Sequence, residues 1–144
     1  MKVILLIMIG LSILNAEFIK NGDIVLDTTT NLEWQDNNIS SDSYTDWADA
    51  NKRCEDLSLG TYDDWRLPNI NELASIVERE SDNSTFYYKE AILKHNDKSF
   101  WSSTSGLIAP DEAWYVNKDI TDKRSKYIRN NARCVRDAGT IYIK

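Results

Sequence analysis

The apolar residues of this chain fall into one long run and many short ones. Val3 to Leu14 is almost unbroken, between Lys2 and Asn15-Ala16-Glu17, which is the charged, apolar and cleavage layout of a secretory signal peptide. The run is shorter than the roughly 20 residues a spanning helix needs. Residues 1–16 are therefore expected to be removed after Ala16, leaving a single domain over 17–144 with no stable membrane span. No Cys follows to carry a lipid, and an uncleaved anchor is the alternative. Beyond this point the pattern shortens. Ile24-Val25-Leu26 and the alternating Leu32-Glu33-Trp34 lie next to the turn signals Asn21-Gly22-Asp23 and Thr28-Thr29-Thr30-Asn31, and together they predict a β-hairpin.

The period then lengthens. Trp47, Ala50, Cys54 and Leu57 recur at steps of three and four and predict a helix from about Asp46 to Ser58. Thr45 or Asp46 would cap it, with Gly60 just past its end. A second helix follows Trp65-Arg66-Leu67-Pro68, opened by Asn69 and Glu72 at capping-box spacing and faced by Ile70, Leu73, Ala74, Ile76 and Val77. Phe86 to Leu93 reads as a third short helix or an ordered loop. Strand-like pieces then dominate: 100–104, 113–116, 132–136 and 140–143, separated by Ser105-Gly106 and Pro110-Asp111. The expected class is α+β, with two main helices packed on a short-stranded, largely antiparallel sheet.

Composition adds an asymmetry of charge. The 144 residues carry 17 Lys+Arg and 23 Asp+Glu, a net −6, which disfavours nucleic acid as a partner. Without residues 1–16 and their one Lys the balance is −7. Residues 17–117 hold eight basic against twenty acidic groups, −12, whereas 118–136 hold seven against two, +5. A basic strip of Lys118, Lys123, Arg124, Lys126, Arg129, Arg133 and Arg136 thus follows an acidic body.

Two cysteines, Cys54 on the buried helix face and Cys134 in a strand 80 residues later, predict one disulfide in an exported chain. Closing that loop would contribute about 4 kcal/mol in the chain-entropy description. A redox or metal-binding pair is the alternative, disfavoured by the absence of a Cys-x-x-Cys spacing and by His95 being the only histidine.

Several motifs recur in a recognisable order. Asp27 to Gln35 (Asp-Thr-Thr-Thr-Asn-Leu-Glu-Trp-Gln) precedes Trp47, Ala50 and Cys54-x-x-Leu57. Asp64-Trp65-Arg66-Leu67-Pro68-Asn69-x-x-Glu72-Leu73 comes next, followed by Phe100-Trp101-Ser102-Ser103-Thr104, Ala113-Trp114-Tyr115-Val116 and Arg133-Cys134-Val135-Arg136. Over about residues 22–137 the chain resembles the Lcl C-terminal domain family, named for the end domain of a bacterial collagen-like adhesin. The resemblance implies a C-type-lectin-like fold, related to formylglycine-generating domains, in a protein of the bacterial envelope or a secreted one. It also implies kinship with an adhesin that binds sulfated glycans. Asn31 stands where the family usually has Gly, a mild change because Asn tolerates a left-handed backbone. No Gly-X-Y stalk is present in the sequence, so the adhesin's trimeric assembly is not carried over.

Each mark has a structural and a functional reading. Trp34, Trp47, Trp65 and Trp101 are expected mainly in structural roles, while Trp114, beside the Asp111-Glu112 turn, is the candidate exposed ring for stacking on a sugar. Arg66, Arg133 and Arg136 are expected to pair with carboxylates such as Asp64 and Glu72. Pro68 belongs to the same motif. In the functional reading Lys123, Arg124, Lys126 and Arg129 form an anion-binding strip for an acidic glycan. Leu67-Pro68-Asn69 resembles a lectin calcium motif but lacks its carboxylate, so calcium-dependent sugar binding is not expected. The acidic groups Asp42-Asp46-Asp49 and Asp63-Asp64 read first as solvated faces, with cation binding as the alternative; no specific metal or cofactor is implied. Asp63 and Asp64 are adjacent, whereas glycoside hydrolysis needs carboxyls facing across a bond, and no nucleophile, P-loop or zinc motif is present. Asn38, with Asp36 and Ser40 around it, matches an extended acidic glycosylation sequon, and Asn83 a minimal one. The expectation is an exported, non-enzymatic module of the bacterial envelope that recognises a glycan or an envelope protein. Its alternatives are an accessory subunit of an envelope complex and, third, an enzyme of the formylglycine-generating-like fold.

Overall fold

The computed structural model describes residues 18–38, 44–79, 86–88, 98–117 and 119–139. The signal-like segment, the strand expected at 140–143, Asn83, His95, Asp42 and Lys118 lie outside them.

Among the described residues, nine strands form three antiparallel sheets. The first holds β1 (Phe18–Asn21), β2 (Ile24–Asp27), β3 (Leu32–Gln35) and β9 (Val135–Asp137), in the order β1-β2-β3-β9. The second pairs β4 (Val77–Arg79) with β5 (Phe86–Tyr88). The third is β6 (Phe100–Ser105), β7 (Glu112–Val116) and β8 (Thr121–Ser125), with β7 central. Among the described residues two short helices accompany them, α1 (Trp47–Glu55) and α2 (Ile70–Ser75).

The hairpin expected at β2–β3 is present, and Asn31 makes its turn in the left-handed region at φ 56°. Its backbone N–H donates to the Asp27 carbonyl at 2.8 Å, and the buried Asp27 carboxylate accepts from Thr29 N–H at 2.9 Å. The Gly22 turn, also left-handed, adds β1 as a further strand in front.

The expected α+β, C-type-lectin-like arrangement of two main helices on a sheet is overturned: the described residues are predominantly antiparallel β. Both apolar stripes extend beyond their helices. Helix α1 is N-capped by Asp46, whose side chain accepts from Asp49 N–H at 2.9 Å, but stops at Glu55 with Asp56 as its C-terminal cap. Gly60 lies beyond the helix, in the Leu59–Tyr62 turn, at φ 66°, where an added Cβ would come within 3.0 Å of Ile24. Helix α2 has the expected reciprocal box: Asn69 Oδ1 accepts from Glu72 N–H at 3.0 Å, and Glu72 Oε2 from Asn69 N–H at 2.8 Å. It ends at Ser75, because Ile76 is its cap and the β-branched Val77 opens β4. Residues 86–88, read as helix or loop, are strand β5. Strand β8, Thr-Asp-Lys-Arg-Ser, was not expected at all, since its polarity hides any apolar alternation.

Two apolar clusters fill the interior. One gathers Val25, Leu32, Trp34, Leu73, Ile76, Phe100, Val116 and Val135 between the first sheet, α2 and the third sheet. The other gathers Ala50, Trp65, Leu67, Trp101, Ala113, Tyr115 and the bonded Cys54–Cys134 pair. Residues 64–68 run between them. Arg66 exchanges both backbone hydrogen bonds with Val135, at 2.9 and 2.8 Å, and Trp65 and Leu67 drop into the second cluster. Among the described residues no helix is long and apolar enough to cross a membrane.

Candidate functional site

The arginines of the family motifs are engaged inside the fold. Arg133 is fully buried; it donates to the Gln35 carbonyl at 2.7 Å and to Asp36 at 3.3 Å, with Phe100 below its guanidinium at 4.8 Å. Lys20 reaches the same buried Asp36. Arg136 grips Asp64 with Nε at 2.6 Å and Nη2 at 3.1 Å, pairs with Glu33, and lies 3.7 Å over the Tyr62 ring. Arg66 forks onto Glu72 at 2.7 and 2.8 Å and reaches Asp137 at 3.1 Å. The hydrogen bond from Arg136 holds the Asp64 carboxyl below its usual pKa and, reciprocally, raises that of Arg136. For Glu72, burial alone would raise the pKa; the bond from Arg66 and the Asn69 N–H outweigh it and lower it. Asn69, in the lectin-like Leu67-Pro68-Asn69 stretch, is engaged in capping, and Leu67 is buried.

The tryptophans divide by depth. Trp34, Trp65 and Trp101 are core residues, and Trp101 Nε1–H donates to the Thr45 carbonyl at 3.1 Å. Trp47 and Trp114 are half-buried, and each carries a cation.

The residues expected as an anion-binding strip do not form one surface. Strand alternation puts Lys123 opposite Trp114, with its Nζ 5.3 Å from that ring, and sends Arg124 to the other face. Arg124 stacks on Tyr115 at 3.7 Å and donates to Asn130 Oδ1 at 3.0 Å. Lys126 stands over Trp47 at 4.1 Å and donates to the Pro110 carbonyl at 2.7 Å. Arg129 is exposed on the following turn. Asn38 is exposed, but Asp36 of the same sequon is buried in its ion pairs, and Ile39-Ser40 lie outside the described residues.

What the fold does assemble, and sequence reasoning missed, is a cleft of about 490 Å³ at the start of α1. Its walls come from three segments: Asp46, Trp47 and Ala48; Pro110 and Asp111; Lys126 and Tyr127. The segments are tied by backbone bonds from Trp47 N–H to the Lys126 carbonyl at 3.0 Å and from Lys126 N–H to the Asp111 carbonyl at 2.8 Å. Trp47 is further fixed by its indole N–H, which donates to the Ser102 carbonyl at 2.8 Å. Tyr127 stands 85% exposed at the rim. An anchored indole with Lys126 over one of its faces, an exposed phenol ring and two carboxylates make a site with apolar faces and a few polar groups.

The family model of the Lcl C-terminal domain matches residues 23–136. The chain belongs to the Lcl C-terminal domain family. It is thus an adhesin-associated domain, and that kinship together with the Cys54–Cys134 disulfide fits an extracellular placement. Neither a curated protein nor a solved structure matches it significantly. In this Lcl C-terminal domain Arg66, Arg133 and Arg136 are engaged in internal ion pairs, and one aromatic surface opens at the α1 cleft.

Proposed function

We propose that this domain is an exported, non-enzymatic binding module that recognises a glycan in the Trp47–Tyr127 cleft. The observation that carries the reading is the pairing of an anchored, half-buried indole with a free phenol ring at the mouth of a concave site. Aromatic rings offer apolar faces to the C–H face of a pyranose. The neighbouring Asp46 and Asp111 carboxylates accept hydrogen bonds from its hydroxyls. Those two acceptors, against the single cation Lys126 in the lining, favour a hydroxyl-rich sugar over a densely sulfated one. Export is supported by the apolar leader and by the disulfide. A catalytic role has less support: Asp46 caps a helix, and Asp64 and Glu72 are committed to arginines.

The test is a glycan array probed with the wild-type domain and with Tyr127→Ala and Asp111→Asn, both exposed positions. Binding of the wild type that each variant weakens by about tenfold, the scale of one lost stacking or hydrogen-bonding contact, is the expected result. A blank array, with a stoichiometric protein co-purifying from the native envelope, would instead favour an accessory subunit of an envelope complex.

A further inference from the structure

The third sheet ends in an apolar tip that the glycan cleft does not use. The registers Ser105↔Ala113 and Glu112↔Ser125 put the β6–β7 loop and the turn after β8 at one end of that sheet. At the loop apex Leu107 is 101% exposed and Ile108 94%, the two most exposed large apolar side chains among the described residues. Neither belongs to either core cluster, and neither lines the cleft. On the adjoining turn stands the exposed guanidinium of Arg129.

We propose that this tip inserts into a phospholipid bilayer. Two adjacent aliphatic chains on a protruding loop offer a few hundred Å² at most, against about 800 Å² per partner in a stable protein pair; a bilayer asks for no matching surface. Arg129 reaches a lipid phosphate from the adjoining turn. Locally Lys126 and Arg129 balance Asp111 and Glu112, so attachment is carried by the aliphatic pair and persists at high salt. The domain then rests on a membrane by one loop.

Co-sedimentation of the exported domain with vesicles of phosphatidylethanolamine and phosphatidylglycerol tests this, in the absence of any glycan. The wild type is expected in the pellet at low and high salt. Leu107→Ser with Ile108→Ser should lower vesicle affinity by at least about tenfold per side chain, while Leu107→Phe with Ile108→Leu retains it. Both pairs are fully exposed and leave the core unchanged. A wild type that stays in the supernatant, or a serine variant that sediments equally, overturns the proposal. So does a concentration-dependent dimer that the serine pair abolishes, which would assign the tip to a second copy of the chain. The glycan array is read without lipid, so either reading can fail while the other stands.

Discussion

Removing the Arg136 guanidinium would leave Glu33 and Asp64 without their shared cation and expose one face of Tyr62. Glu33 is mostly buried while Asp64 is more than half exposed, so the loss comes chiefly from Glu33 and from the lost stacking. Arg136→Ala is expected to lower stability by about 2–3 kcal/mol, read as a lower urea midpoint with unchanged slope. The same pair sets an acid dependence. A carboxyl whose folded pKa is lowered stabilises the fold above its ordinary range and loses that contribution as pH falls through the depressed value. Asp64 and Glu72 both have lowered values, so the urea midpoint should be level near neutrality and fall below the ordinary carboxylate range. In Arg136→Ala the acid limb should be shallower, because Asp64 no longer contributes. These pairings were legible in part: the motif arginines were expected to meet carboxylates such as Asp64 and Glu72, but which arginine meets which was not. The burial of Asp36 between Arg133 and Lys20 was not, since those residues lie far apart in sequence.

Among the elements, the β2–β3 hairpin depends on one backbone position. Asn31 sits at φ 56° and its side-chain amide donates to the Gly139 carbonyl at 3.1 Å on the surface. Asn31→Gly should change stability by no more than about 0.5 kcal/mol, the relieved left-handed strain offsetting the lost exposed hydrogen bond. Asn31→Val, β-branched, should cost about 1–2 kcal/mol; thermal unfolding of the two variants side by side distinguishes them. Elements with a local chemical signal were readable in the sequence, such as the Asn31 turn, the Asp46 cap and the Asn69–Glu72 box. Their extents were not. Helical spacing continued into Ile76 and Val77, but pairing with β5 claimed Val77 for a strand. Strand β8 was invisible because an edge strand that must stay soluble carries charges where a buried one carries valines. Reading its residues as a cationic strip followed from composition, and strand alternation divided that strip between two faces.

At the level of the whole molecule, Cys54–Cys134 joins α1 to the segment entering β9, within the second apolar cluster. Reduction should lower stability by about 4 kcal/mol, a loss expected from opening an 80-residue loop, and urea unfolding with and without dithiothreitol measures it. The cleft belongs to the same scale: Asp46 to Ala48, Pro110-Asp111 and Lys126-Tyr127 are distant in sequence and meet only because β8 returns beside β7 toward the start of α1. No single motif could have announced it. The most direct test of glycan recognition there follows the five indole N–H signals of the ¹⁵N-labelled domain. The probes are neutral cellulose- and chitin-derived oligosaccharides and heparin-derived ones. Saturable shifts of the Trp47 indole and the Tyr127 amide with a neutral oligosaccharide, while Trp34, Trp65 and Trp101 stay in place, are the predicted result. Shifts confined to Trp114 and Lys123, or an unchanged spectrum with every oligosaccharide, would contradict it.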